Sequence, residues 1–273
     1  MWLYWRTYCS DMPRKRPTVL KPVRVSASIQ RTYRARLQAS NQAYKKQVDK
    51  KVKKILARIE NFDRTDPDEF FKQVELARKD IDGLQRNLAA ANKRSEKAVD
   101  VFINKTNAEN KARAVKSFGP QLGTEKVEAI IAEKNALSDK RLKKLSNDYK
   151  KSIRAANQAY SDRVQAALFK SLGDPNFTAA KARKEVTRSK GIVTRRIKNT
   201  VVNQAHEANA VLNRVRQAAL GAKSYRWQTK EDSKVRKTHK AHNRKIFNWA
   251  KRPVTSGHPG EDHGCRCIAR PVI

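Results

Sequence analysis

The strongest constraint on the fold is a long stripe of apolar residues at helical spacing. Between residues 29 and 59 apolar side chains recur at steps of three, four and seven, and lysines fill many of the intervening positions. This period places the apolar residues on one side of an α-helix and the cations on the other. The stripe consists of Ile29, Tyr33, Leu37, Tyr44, Val48, Val52, Ile55 and Ile59. We therefore predict a long amphipathic helix with one buried seam.

Capping residues predict where the next helices begin. Thr65 or Asp66 can cap a helix that has Pro67 in its first turn. Its apolar stripe continues to Leu88, with a weak point at Gly83. A second stripe, as regular as the first, runs over residues 142–168 and predicts a helix ending near residue 173.

Asparagine and glycine predict the remaining helix boundaries. We expect Asn107 to cap a short helix that stops at residues 119–120, and Thr124 to open the next helical region. A short helix over residues 178–190 is expected to end at the glycine that follows it. A last long helix is predicted over residues 192–220.

The composition changes along the chain and predicts three regions. Residues 1–28 form a basic, proline-containing arm, extended and mobile, and residues 29–221 form the helical body. Residues 222–273 form a loop-rich module with a strand near 225–229. The predicted fold is mainly α, an elongated bundle of long amphipathic helices with a small loop-rich α+β C-terminal module. This module has too few large apolar side chains to stabilise fifty residues by their burial alone. We therefore expect a further stabilising link within it.

The charge of the chain predicts an anionic partner. Lys and Arg number 62 against 26 acidic residues, a net charge of +36, and the apolar fraction of 38% is low for a single thick core. Binding to nucleic acid offsets the self-repulsion of such a polycation, because phosphates attract basic side chains whatever the base sequence. The predicted phosphate contacts are Arg14, Lys15, Arg16, Lys45, Lys46, Lys50, Lys53 and Lys54.

Other compartments are disfavoured by the same sequence. No stretch approaches the roughly 18 apolar residues of a spanning helix, so we expect no membrane partner. Arg6 interrupts the apolar opening residues before a signal-peptide core could form, which indicates a cytosolic origin. Three cysteines do not make a disulfide framework.

Residues with metal-binding side chains are concentrated in the C-terminal module. Thiolate and imidazole favour zinc, and a tetrahedral zinc site is a common way to hold a small module together. The single residue between the two cysteines is shorter than the spacing of standard zinc modules. The candidates are Asp232, His239, His242, His258, His263, Cys265 and Cys267.

Several alternatives to a metal site stay open at this stage. The two cysteines could be small buried residues, or could lie on a strand with one side chain facing each way. The histidines could be surface residues of a basic loop. A cysteine nucleophile activated by His239 and oriented by Asp232 is a further alternative.

The last fifty residues carry a resemblance. The pattern Trp227-x-Thr229-x-x-Asp232-x-x-Val235-Arg236-x-x-His239 is followed by His258-Pro259-Gly260-Glu261-Asp262-x-x-Cys265-Arg266-Cys267 and a Pro-Val-Ile ending. It resembles the C-terminal signature of the phage Mu F-like head morphogenesis family, the minor head proteins of tailed bacteriophages. The sequence departs from the family at Arg244, His242 and His263. Positions His239, Cys265 and Cys267 match, which leaves His258 or Asp232 as a further zinc ligand.

The resemblance implies a non-catalytic virion protein made in the host cytoplasm with the head genes. Its implied place is inside or beside the procapsid near the portal, so its expected partners are the portal protein and procapsid components. The charge of the chain adds non-specific contact with double-stranded DNA through the basic helix faces. Such proteins are expected to assist head assembly or the packaging and ejection of DNA.

Two other functions account for part of the sequence. A metal-dependent, nuclease-like enzyme would use His239 and the cysteines, although phosphoryl transfer normally uses Mg²⁺ on carboxylates. A histone-like protein that coats DNA would explain the charge and leave the last fifty residues without a role.

Overall fold

The computed structural model describes residues 17–63, 65–174 and 176–273. Helices dominate this part of the chain, and a three-stranded antiparallel sheet follows them, which confirms the predicted mainly α fold with a small α+β module. A 3₁₀ turn at Gly83–Asn87 joins the second helix to the third, at the predicted weak point. The elements are α1 (Ala27–Glu60), α2 (Pro67–Asp82), α3 (Leu88–Leu122), α4 (Thr124–Glu133), α5 (Asn135–Gly173), α6 (Ala179–Ala219), β1 (Ser224–Gln228), α7 (Lys237–His242), β2 (Ile246–Asn248) and β3 (Ile268–Val272).

Four long helices, α1, α3, α5 and α6, bury their apolar stripes against one another. The predicted stripe of α1 is buried from Tyr33 to Ile59, and that of α5 is buried along its length. Tyr33 stacks on Phe102 of α3 with ring centroids 4.2 Å apart, and its hydroxyl donates to Gln204 Oε1 of α6 at 2.6 Å. Each long helix thus has one side in the core and its cationic side outward.

The predicted starts of α2 and α6 are confirmed, and in both a side chain caps the helix. The Asp66 carboxylate accepts from the backbone N–H groups of Asp68 and Glu69 at the start of α2, next to Pro67. Thr178 caps α6 in the same way. These interactions depend only on neighbouring residues, so the sequence predicts them well.

The predicted helix boundaries at Asn107, at residues 119–120 and at Gly191 are wrong. α3 runs without a break through Asn107, and Pro120 lies inside its last turn. Asn107 does not cap a helix, because its side-chain oxygen accepts from Arg216 of α6 at 2.5 Å. α6 likewise continues through Gly191, since the stripe on either side of this glycine is buried in the bundle. A helical glycine costs only about 1 kcal/mol, less than the burial of that stripe contributes.

Residues 17–26 are held against the rest of the chain rather than forming the expected mobile arm. Thr18 and Ile273 exchange two backbone hydrogen bonds, at 2.9 and 3.1 Å, and Leu20 N–H donates to Pro271 O at 2.9 Å. Leu20 and Val23 are buried. This segment therefore lies alongside β3, on the side of that strand away from β1.

The C-terminal module is a sheet in the order β2-β1-β3 with long connecting loops. β1 pairs with both neighbours in antiparallel register, so that Tyr225 faces Phe247 on one side and Pro271 on the other. Alternation along β1 buries Tyr225 and Trp227 on one face, where they pack with Trp249 and the two cysteines. In the part of the chain described, no helix combines the length and apolar character needed to cross a lipid bilayer.

Candidate metal centre

His239 is placed in the core of the module by the short helix α7. Its ring meets the indole of Trp227 edge to face with centroids 5.3 Å apart, and only 3% of the residue is exposed. Trp227 is fixed by its position in β1, the central strand of the sheet. The imidazole is therefore buried and held in one orientation against a rigid strand.

Both cysteine sulfurs converge on the same nitrogen of this imidazole. Nδ1 of His239 lies 3.6 Å from Sγ of Cys265 and 3.5 Å from Sγ of Cys267. The three donor atoms all lie within 4.8 Å of one another, and all three residues are buried. The residues before β3 thus turn both thiols to one side, which excludes the alternative of one cysteine facing each way.

Asp262 fixes the other nitrogen of the imidazole. Nε2 of His239 lies 3.0 Å from Oδ2 of Asp262, while Oδ1 of the same carboxylate accepts from Gly257 N–H at 3.1 Å. A carboxylate at Nε2 favours the tautomer with its proton there. Nδ1 is then left with a free lone pair that points at the two sulfurs.

The two thiols shift each other's pKa in opposite directions. The neighbouring thiol of Cys267 lowers the pKa of Cys265. The pKa of Cys267 is raised by the same neighbour and by burial. The lowered pKa favours the thiolate of Cys265, and thiolate is the form of cysteine that binds metals.

Gly260 brings the loop before the cysteines onto α6. Its φ of +89° is a conformation that side chains disfavour, and a Cβ at this position would lie 2.7 Å from the Cβ of Ala210. The backbone N–H of Gly260 donates to Sγ of Cys265 at 3.3 Å. Glycine at this position thus permits both the close approach to the helix and the hydrogen bond to the sulfur.

Asp232 lies outside the donor group and binds the arginine between the cysteines. Nη1 and Nη2 of Arg266 each lie 2.6 Å from an oxygen of Asp232. The hydrogen bond from Arg266 lowers the pKa of Asp232. The carboxylate that orients His239 is Asp262, so the alternative in which Asp232 orients it is wrong.

The matched family includes the module that holds the donor group. The family model described as "Phage Mu protein F like protein" matches residues 122–270, more than half of the chain. The chain belongs to this family. The family resemblance inferred from the last fifty residues is confirmed, and the matched region contains the whole donor group. Mu F-like proteins are structural proteins of phage heads.

A relative of this Mu F-like chain is found in Haemophilus influenzae. It is described as an uncharacterized protein and is 26% identical over 181 residues. The aligned region covers 66% of this chain and 39% of the relative, so the chain spans about two fifths of the relative's length. No solved structure matches the chain.

The structure separates the remaining histidines of this Mu F-like module from the donor group. His258 is buried, but its Nδ1 bonds with the hydroxyl of Tyr225 at 2.9 Å, and the structure does not bring it into the group as a ligand. The ring of His242 is tilted against Trp227 and edge-on to Phe247, and His263 is exposed beside Asn203. Burial of His239 and His258 excludes the surface-loop alternative for these two.

The other motif residues hold the module together. Thr229 is buried, and its N–H donates to Asn243 Oδ1 at 3.0 Å. Arg236 donates to the carbonyl of His263 and lies 3.9 Å from Asp262. Pro259 is buried beside Gly260.

The predicted phosphate contacts fall into three groups. Lys46, Lys50, Lys53 and Lys54 are exposed on the outer side of α1. Lys45 is turned towards α6, where its ammonium donates to the carbonyl of Lys190 at 3.2 Å and to the hydroxyl of Thr194. Arg14, Lys15 and Arg16 lie outside the described residues.

Asp262 is the functional residue that the sequence analysis missed. It belongs to the C-terminal motif, but its spacing from His239 gives no reason to pair the two residues. The signal that could have found it is chemical, because a buried ligand histidine needs an acceptor at its second nitrogen.

Proposed function

We propose that this Mu F-like chain is a minor head protein that lies at the portal, inside the head, and contacts the packaged DNA through its basic helix faces. Family membership over residues 122–270 is the observation that carries the proposal. The role of the whole protein in assembly, packaging or ejection is part of this proposal.

The distribution of charge on the bundle supports contact with DNA. The exposed lysines of α1 lie opposite its buried seam, and α6 packs antiparallel to α1, as Lys45 approaches Lys190 and Glu60 pairs with Arg183. α6 adds exposed cations for which the described residues supply no carboxylate partner within 4.0 Å. These are Lys184, Arg195, Arg196 and Lys198.

This arrangement favours binding without sequence recognition. The cations are spread along the outer sides of long helices. There they can reach phosphates, but they form no compact surface that could recognise bases. Within a head filled with duplex DNA, a net charge of +36 becomes a source of attraction to the surroundings.

The location of the protein in particles tests the proposal. We expect the chain to co-purify with procapsids, to crosslink to the portal protein, and to resist added protease until the shell is opened. A portal-free shell assembled from the same head genes is the control and should retain much less of the chain. Absence of the chain from procapsids and from portal pull-downs would remove the proposal.

A further inference from the structure

We propose that His239, Cys265 and Cys267 bind one zinc ion, and that water or a small anion from an adjoining cavity takes the fourth position on this ion. The proposal rests on the arrangement of the donors and does not depend on the role of the chain in the phage head.

The two nitrogen-to-sulfur distances match those around a tetrahedral ion. Zn–S bonds of about 2.3 Å and Zn–N bonds of about 2.05 Å at a tetrahedral angle place nitrogen and sulfur about 3.6 Å apart. The two distances from His239 Nδ1 are 3.6 and 3.5 Å.

The donor types select the metal. Two sulfurs and one imidazole nitrogen suit zinc, whereas Mg²⁺ and Ca²⁺ require oxygen ligands. The surroundings also suit a metal site, since Asp262 fixes the imidazole through Nε2 and the amide of Gly260 donates to Cys265 Sγ. Such outer hydrogen bonds orient the ligands and are typical of zinc sites.

The fourth position opens onto a small cavity. No other His, Cys, Asp or Glu of the described chain joins the three donors within 4.8 Å. A cavity of about 60 Å³ is lined by all three donors and by the cationic side chains of Lys230, Lys234 and Arg236. A space of this size has room for water. The cavity therefore admits water or a small anion, and its cations favour the anion.

Metal content is the first test. The full chain, purified without a histidine tag or chelator, should contain about one zinc per chain by elemental analysis. Cys265→Ser and His239→Gln should lose the zinc, and the controls His242→Gln and Cys9→Ser should keep it. A folded wild-type chain without zinc, or zinc retained by Cys265→Ser, would overturn the site.

Cobalt substitution of the wild-type chain tests the same site without relying on variants that fail to fold. Co²⁺ bound to Cys265 and Cys267 should show intense thiolate-to-metal absorption and the visible bands of a four-coordinate ion. Added azide or phosphate should shift those visible bands, because either anion can replace the fourth ligand. A weak six-coordinate spectrum would overturn the site. Visible bands that saturating anion leaves unchanged would overturn the exchangeable fourth position.

Discussion

Arg266, the residue between the two cysteines, holds both carboxylate oxygens of Asp232 at 2.6 Å. This pair joins the turn after β1 to the segment before β3, in which Cys265 and Cys267 flank Arg266. Both cysteine positions therefore depend on a contact that neither cysteine makes itself.

Replacing Asp232 with Asn should weaken the module in a pH-dependent way. The pKa of Asp232 is lowered from 3.8 by its hydrogen bond from Arg266, so the pair stabilises the fold above pH 3.8. That stabilisation is lost as the pH falls through the lowered pKa. Thermal unfolding of wild type and Asp232→Asn should differ near neutral pH and converge in acid. An equal difference across the whole range would show that the carboxylate charge contributes nothing.

Replacement by alanine should raise the stability of the chain at Gly191 and lower it at Gly221. Gly191 lies within α6 with open space around it, so Gly191→Ala should stabilise the chain by roughly 0.5–1 kcal/mol. Gly221 follows α6 with a φ of +83°, so Gly221→Ala should cost about 1–2 kcal/mol. Urea unfolding midpoints measure both changes. Destabilisation by Gly191→Ala would mean that the helix ends there after all.

Asn110 lies at the centre of a buried polar cluster whose loss should be costly. Its amide donates to the side-chain oxygens of Asn209 and Asn213, at 3.2 and 2.9 Å. Those two residues in turn donate to Val23 O, at 3.1 and 3.0 Å. Asn110→Ala leaves buried acceptors unpaired and should lower the free energy of unfolding by about 1–3 kcal/mol. The exposed control Asn147→Ala should stay within about 0.5 kcal/mol of wild type.

The lysines on the outer side of α1 should contribute to DNA binding through phosphates. The double variant Lys50→Glu with Lys54→Glu should bind duplex DNA more weakly at any sequence. It should also lower the slope of log affinity against log salt concentration by about 2. Fluorescence anisotropy with labelled duplexes of unrelated sequence measures both effects.

The control for that experiment carries the same change in net charge elsewhere. Lys72→Glu with Lys126→Glu alters exposed residues of α2 and α4. Equal losses in the two double variants would contradict a specific role for the α1 face. Plasmid cleavage by the purified chain, lost in His239→Ala, would instead favour the enzyme alternative.

The sequence predicts local features of this fold well and non-local ones poorly. Asp66 and Pro67 mark the start of α2 because the interaction is complete within a few residues. Asn107 and Gly191 carry the same kind of local signal, but contacts with the rest of the bundle override it. The pairing of residues 18–20 with β3 has no local signal, since about 250 residues separate the partners.

The candidate site shows the same contrast between features that the sequence predicts and features that only the fold decides. His239, Cys265 and Cys267 were predicted as one group from their chemistry and from the family resemblance, and the structure brings them together. The partners of the two aspartates were not predictable, because Asp232 and Asp262 lie at unremarkable spacings from His239. Only the folded loop decides which carboxylate meets the imidazole.

The reciprocal bonds between Thr18 and Ile273 have a consequence for biosynthesis. The ribosome releases Thr18 long before it adds Ile273, so the helices between them can begin to pack before these two residues pair. Partners that meet the chain before residue 273 has emerged therefore encounter a molecule in which residues 17–26 are not yet held against β3.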